Sequence, residues 1–289
     1  MTITFSTRIG PGFFTHPTFE SFRFPAGDHH VKVVNENDGK GHLTEIATVK
    51  GTDANDLIQL GMWADAAKQR GATTIAVIPY LPGARQDRGL PFGARVYAGI
   101  LNSFELDQVI AFDPHSPVIE GLVNNLTVVE SASVVRRWVV GRADRDSIAQ
   151  RYTGIIAPDA GGVKRASAAA KLTHLPVYLA QKHRDEATGK LSGFSCADLP
   201  ADGKFLVVDY ICDGGGTFMG LAKATGLRRD QLGLFVSHGV FSGRAAQLTE
   251  HFADIWTTDS FADDPRPESD RPSAFHIINI GQYLNGAIK

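Results

Sequence analysis

The sequence predicts an α/β protein: two tandem modules, each a mainly parallel sheet flanked by helices. Three observations predict it. Short unbroken apolar runs at 75–78, 109–112, 154–157, 205–208 and 233–236 suit strands buried on both faces. Stretches with helical spacing lie between them, an alternation that produces parallel sheets. The pattern also repeats weakly. A strand with a basic loop is followed, roughly thirty residues on, by a strand ending in aspartate, pairing Arg85 and Asp113 with Lys182 and Asp209.

Composition narrows the class of function. The chain has 289 residues, enough for two domains of ordinary size. Its apolar fraction of 43% and charged fraction of 21% are those of a soluble globular protein. A net charge of -2 gives no support to a nucleic-acid or membrane-surface partner, so any anion binding is local. No opening segment reads as a signal peptide, and no apolar run approaches the roughly 20 residues of a membrane helix. The cysteines, Cys196 and Cys212, predict a reduced, cytoplasmic setting with no disulfide or metal pair.

In chain order, the segment up to Val49 reads as strands and turns, with 22–24 entering the turn Pro25, Ala26, Gly27, Asp28. Residues 55–70 have helical spacing, with Leu57, Leu60, Trp63 and Ala67 on one stripe. The strand at 75–78 runs out into Arg85, Gln86, Asp87 and Arg88, a basic loop at a strand's carboxyl end, where open α/β sheets bind ligands. Arg85 and Arg88 suit bidentate contact with phosphate. The strand at 109–112 ends in Asp113, Pro114, His115 and Ser116, an acid and an imidazole poised to position a metal-bound triphosphate. A helix is expected over 131–140, and the charged stretch 142–146 marks the module boundary.

The second module opens with a strand at 154–157, then Pro158, Asp159, Ala160, Gly161 and Gly162, then an alanine-rich helix from Val163. A carboxylate beside paired glycines reaches Mg²⁺ without obstruction, which makes Asp159 the candidate ligand. Arg165 suits an ion pair or packing as readily as ligand binding. A strand at 175–179 leads into 181–190, so charged that it reads as a mobile exposed segment, carrying Lys182 and Arg184. The apolar run 205–208 then meets Asp209, and Asp213 is followed by Gly214, Gly215, Gly216 and Thr217. Glycines turn the backbone tightly, bare amides and a helix N-terminus face an anion, and Asp209 accepts sugar hydroxyls. The stretch reads as a sugar-phosphate cradle. A strand is expected at 233–236, and the tail from His276 is expected to end in a packing helix.

Motifs in a fixed order, spanning nearly the whole chain, carry a resemblance. They are Phe24, Gly27 and Asp28, with Ala26 in place of an acid; Arg85, Gln86, Asp87 and Arg88; Asp113 and His115 around a proline; Asp159, Gly161, Gly162 and Arg165; Lys182 and Arg184; and Asp209 to Thr217. Together they resemble the ribose-phosphate pyrophosphokinases (PRPP synthetases), enzymes of the type I phosphoribosyltransferase fold. The resemblance implies two phosphoribosyltransferase-like domains, 1–143 on the ATP side and 144–289 on the ribose-phosphate side. It assigns ATP to Phe24, Asp28, Arg85, Gln86, Asp87 and His115, catalysis to Lys182 and Arg184, and the sugar phosphate to Asp209, Asp213, Gly214, Gly215, Gly216 and Thr217. Mg²⁺ falls to His115 and Asp159. The implied reaction moves the β,γ-diphosphoryl group of Mg-ATP to the 1-hydroxyl of ribose 5-phosphate, in a homo-oligomer, dimer or hexamer, with no nucleic acid or membrane involved.

Two departures open a second reading. Tyr210 replaces the second acid of a ribose-binding pair, and Gly214 replaces a threonine. A looser pocket with an aromatic surface suits a larger acceptor such as ADP-ribose, in NAD salvage. A third reading is a non-catalytic PRPP-binding or regulatory homologue.

Overall fold

The computed structural model describes residues 3–9, 13–15, 17–35, 43–141, 151–184, 191–261 and 273–289. The charged stretch 142–146 and the 185–190 part of the expected mobile segment lie outside the described residues. The chain separates into two compact units, Met1–Val129 with Gly281–Lys289, and Glu130–Ile280.

The first unit runs β1 (Ile3–Ile9), β2 (Phe13–Thr15), β3 (Phe19–Arg23), β4 (His29–Val33), β5 (Leu43–Val49), α1 (Ala54–Gln69), β6 (Thr73–Val77), α2 (Gly93–Ser103), β7 (Gln108–Phe112), α3 (Pro117–Glu120) and β8 (Leu126–Val129). Its six-stranded sheet has the order β2-β1-β5-β6-β7-β8. Strands β5 to β8 are parallel, while β1 is antiparallel to β5. Every residue of β7 is buried, as an unbroken apolar run requires. Helix α1 buries Leu57, Leu60, Trp63 and Ala67, the expected stripe. It starts where Asp53 Oδ1 accepts the Asn55 N–H at 2.9 Å. Strands β3 and β4 form a separate antiparallel hairpin.

One buried acid sits beneath that hairpin. Glu45 on β5 is fully buried, and its Oε2 accepts the Thr7 hydroxyl at 2.8 Å. Thr7 Oγ1 in turn accepts the Thr18 N–H at 3.0 Å, tying the root of β3 to β1. Burial pushes the Glu45 carboxyl above its ordinary value of 4.5, and the Thr7 and Thr18 hydroxyls and the charge of Arg70 offset only part of this. A raised carboxyl pKa means that the folded state holds its proton more tightly than the unfolded chain. Stability therefore falls as pH rises from about 4.5 through the folded value. Glu45→Gln is expected to stabilise the first unit increasingly above that pH and not below it. Denaturation of both proteins from about pH 4 to about pH 8 checks this, and a pH-independent difference would refute it.

The second unit begins with α4 (Ala132–Val134), which runs on into a π-helical turn, Val135–Val140. Then come β9 (Gly154–Ala157), α5 (Val163–Thr173), β10 (Val177–Arg184), β11 (Leu191–Cys196), β12 (Phe205–Cys212), α6 (Gly216–Thr225), β13 (Leu232–Gly239), β14 (Asp254–Thr258) and β15 (Phe275–Ile278). The sheet order is β11-β10-β9-β12-β13-β14-β15. All neighbours are parallel except β10 and β11. After β15 the chain returns to the first unit with α7 (Gly281–Asn285). Gln108 Nε2 donates to Ala287 O at 2.8 Å, and Lys289 N donates to Gln108 Oε1 at 3.2 Å.

Two expectations differ from these elements. Lys182 and Arg184 lie on strand β10, whose ladder with β11 pairs Lys182 with Phe194, so the strand continues well past Leu179. The tail from His276 ends in a helix as expected, with His276 itself on β15 and the helix over Gly281–Asn285. The pairing of the two halves also changes. In the first sheet β6 and β7 are neighbours, whereas in the second β10 and β12 are separated by β9. By strand order the run β5-β6-β7-β8 corresponds to β9-β12-β13-β14. In that correspondence the counterpart of the Arg85 loop is the Asp213 loop and not the Lys182 strand. Among the described residues no helix is long and apolar enough to cross a membrane.

Candidate active site

In the second unit, β9 is followed in the chain by β10 on one side of it and later joined by β12 on the other. The loops leaving β9 and β12 therefore diverge at their carboxyl ends, and such a switch point opens a crevice where α/β sheets bind ligands. The Asp159 turn and the Asp213–Thr217 turn line it. The four strands β10, β9, β12 and β13 are parallel, so Lys182, Asp159, Asp209 and the turn after His238 all lie toward one sheet edge.

The glycine turn has a definite build. Gly215 is left-handed, with φ 77°, and precedes the first residue of α6. A Cβ there would lie 3.1 Å from Leu248 Cγ, so this position needs glycine twice over. Gly214 lies outside the left-handed region, and a Cβ on it would meet only Ser242 O at 3.8 Å. At Gly216 a Cβ would meet nothing within 4 Å. The turn is braced from β13's side, with Val240 and Phe241 N–H groups on Cys212 O, both at 3.0 Å, and Ser242 N on Asp213 O at 3.1 Å. The side of the turn away from Leu248 is thus open to an anion at backbone distance.

Two predicted groups meet here. Lys182 Nζ donates to Thr217 Oγ1 at 3.1 Å, bringing the cation of β10 onto the first turn of α6. The hairpin is held there by Phe194 of β11, whose ring occupies the space a side chain on Gly220 would need. Asp209 is half-buried within β12 and not in the turn; its Oδ1 accepts the Tyr210 N–H at 2.7 Å. Asp159 Oδ1 accepts the Gly161 N–H at 2.9 Å and the Gly162 N–H at 3.2 Å, leaving Oδ2 for a ligand. Among the described residues no three His, Cys, Asp or Glu side chains converge as a metal cage. A single carboxylate of this kind fits Mg²⁺ that arrives already bound to phosphate oxygens.

Tyr210 corrects one expectation. Its ring is 2% exposed, so it offers no surface on which an acceptor stacks. Cys212 is a buried filler, with burial and the charges of Asp213 and Asp209 pushing its thiol up to about 12.

In the first unit the loops after β6 and β7 are neighbours, because those strands are. Arg85 is exposed at the loop's surface. Gln86 folds back, its amide filling the space above Gly93 at the start of α2, and its carbonyl accepts the Ala94 N–H at 3.0 Å. The Asp87 side chain is only 9% exposed and lies 3.4 Å from Arg88 Nε. Burial works to raise its pKa. The neighbouring Ser116 hydroxyl, Arg88 and the charge of His115 outweigh this and hold it below 3.8. Asp87 thus lies beside the turn bearing His115. That turn starts at Asp113, a non-glycine residue held at φ 42°, a conformation that clusters at ligand sites.

On the β3–β4 hairpin, Phe24 is 47% exposed and lies 4.8 Å from Phe22 and 5.8 Å from His30, centroid to centroid. The tight turn closes through Phe24 N donating to Asp28 O at 2.8 Å, which fixes Asp28 beside the aromatic group. An exposed ring cluster with an adjacent carboxylate suits a nucleobase. Residue pattern did not reveal His30 or Leu248 as parts of these sites. The only sequence signals were an aromatic two residues from His30's cross-strand partner and a leucine in a polar stretch.

Comparison with known proteins follows these features. The chain is 30% identical over 276 residues to the ribose-phosphate pyrophosphokinase of Hyphomonas neptunium, covering 91% of this chain and 85% of that one. With the ribose-phosphate pyrophosphokinase of Bradyrhizobium diazoefficiens it shares 30% identity over 208 residues, 67% of this chain and 62% of the relative, so that alignment spans less than two thirds of the relative's length. A phosphoribosylpyrophosphate synthetase from Mycobacterium smegmatis superposes with a TM-score of 0.69 over 93% of this chain and 88% of that one, at 20% identity, which shows a shared fold. No family profile matches the chain. With this identity sustained over 85% of a relative, the chain belongs to the ribose-phosphate pyrophosphokinase family.

Proposed function

We propose that the chain transfers the β,γ-diphosphoryl group of Mg-ATP to the 1-hydroxyl of ribose 5-phosphate, giving PRPP and AMP. The observation that carries the reading is the Lys182–Thr217 contact, which brings a cation to the rim of an open glycine turn at a switch-point crevice. The 1-hydroxyl oxygen attacks the β-phosphorus, the bond to the α,β-bridging oxygen breaks, and AMP leaves with that oxygen while the hydroxyl proton passes to solvent. Negative charge accumulates on the leaving oxygen, so cations near it accelerate the step. Lys182 and Arg184 supply them from β10. Asp209 orients the sugar through its hydroxyls, and the Asp213–Thr217 turn holds its 5-phosphate through backbone amides and Thr217. Phe24 and Asp28 receive the adenine, and Arg85 and His115 the triphosphate. Asp159 and His115 are the residues that would hold Mg²⁺, and the ion would supply neutralisation of phosphate charge. The free thiols Cys196 and Cys212 fit a reducing, cytoplasmic setting, and assembly into a homo-oligomer belongs to the same reading.

The open space at Gly214 keeps one alternative in view, an acceptor with a larger 5-substituent such as ADP-ribose. The burial of Tyr210 removes the other argument for it. Incubation with Mg-ATP and either acceptor, with products identified by mass, decides between them. AMP and PRPP are expected with ribose 5-phosphate. AMP with ADP-ribose alone would reassign the acceptor, and no AMP with either would leave a non-catalytic PRPP binder.

A further inference from the structure

Tyr210 stands where the resemblance puts an acid that touches substrate, yet it lies beneath the site and not in it. Three elements of the carboxyl edge meet on its ring. The Arg165 guanidinium carbon, in the first turn of α5 just after the Asp159 turn, is 5.3 Å from the ring centroid, within cation–π range. The imidazole of His238, near the end of β13, is 5.0 Å away and nearly edge-on at 74°. His238 is itself fixed, with Nδ1 2.6 Å from Ser260 Oγ, while Ser260 Oγ donates to Ser237 O at 3.0 Å. The stack therefore joins α5, β12, β13 and Ser260, two residues past the end of β14, into one packed unit.

Side chains alternate along a strand. Val207 packs with Phe218 and Leu221 of α6, and Asp209 shares its side, whereas Tyr210 projects to the opposite side toward α5. An anchored ring at 210 thus sets the depth and twist of β12 at the point where Asp209 enters the crevice and the glycine turn begins. The Tyr210 N–H that orients the Asp209 carboxylate moves with that anchor.

We propose that Tyr210 is a positioning residue for the pentose acceptor. The Arg165–Tyr210–His238 stack holds Asp209 and the Asp213–Thr217 turn in register with the sugar, so that it governs acceptor affinity and not ATP affinity. This rests on the reading of the site as the acceptor pocket of a diphosphotransferase. The experiment compares Tyr210→Ala, Tyr210→Phe and Arg165→Gln in the full chain. It measures KM and kcat for ribose 5-phosphate and for ATP separately, direct binding of ribose 5-phosphate by calorimetry, and thermal unfolding.

Tyr210→Ala is expected to raise the KM for ribose 5-phosphate about tenfold or more with the KM for ATP changed less than about twofold. Arg165→Gln is expected to shift it the same way, and Tyr210→Phe, which keeps the ring, to restore it. An unchanged sugar KM in Tyr210→Ala, or equal rises for sugar and ATP, overturns the proposal. If Tyr210→Ala fails to fold, an unchanged sugar KM in Arg165→Gln overturns it. Calorimetry separates this from failure of the activity reading. A wild-type chain that binds ribose 5-phosphate without forming AMP, with binding lost in Tyr210→Ala, refutes the activity and keeps the positioning role.

Discussion

Lys182→Ala is expected to lower turnover by about 100-fold or more while ATP binding is largely retained. In the transfer step charge moves from the β-phosphorus bridge onto AMP, and a cation fixed at that point is stronger in the transition state than in the ground state. Lys182 is fixed in that sense: it pairs with Phe194 in the ladder between β10 and β11, and its ammonium sits 3.1 Å from Thr217 Oγ1. Thr217→Val separates the two parts of the contact. It removes the hydroxyl and keeps the charge, so a smaller loss of turnover is expected, with a rise in the KM for ribose 5-phosphate. Single-turnover AMP formation checks both variants. Wild-type turnover in Lys182→Ala would remove β10 from the mechanism.

Gly215→Ala and Gly214→Ala, one residue apart in the same turn, are expected to differ sharply in stability. At Gly215 an alanine takes on a left-handed conformation, costing about 1–2 kcal/mol. Its methyl would also press on the fully buried Leu248 at 3.1 Å, and overpacking adds about 1–3 kcal/mol. At Gly214 neither term applies, and the change is expected to stay within about 0.5 kcal/mol. Denaturant unfolding of the two variants measures the contrast, and equal costs would refute the geometry of the turn. The Gly214 variant also reports on the acceptor, since its methyl enters open space on the ligand side without disturbing the fold.

Much of this was legible in the sequence because the informative strands are buried on both faces. The runs at 109–112 and 154–157 leave no period to misread, and the acids and glycines after them mark carboxyl ends. The alternation in α1 was equally plain. What escaped has a common physical cause, that a sheet edge or a return in the chain is decided by partners far away in sequence. Lys182 and Arg184 read as solvated charge because β10 gains its extra length from pairing with β11, which charge composition does not record. Tyr210 read as exposed because its place in a motif suggested contact with substrate; its burial depends on Arg165 and His238, both outside the motif's local pattern.

The chain begins in one unit and finishes in it. Between Val129 and Gly281 it builds the whole of the other unit, then comes back to lay Ala287 and Lys289 against Gln108 of β7. In synthesis from the N-terminus, residues 130–280 are therefore made before Ala287 and Lys289 can reach Gln108. The earlier-made unit receives these hydrogen bonds only once the later-made one has left the ribosome.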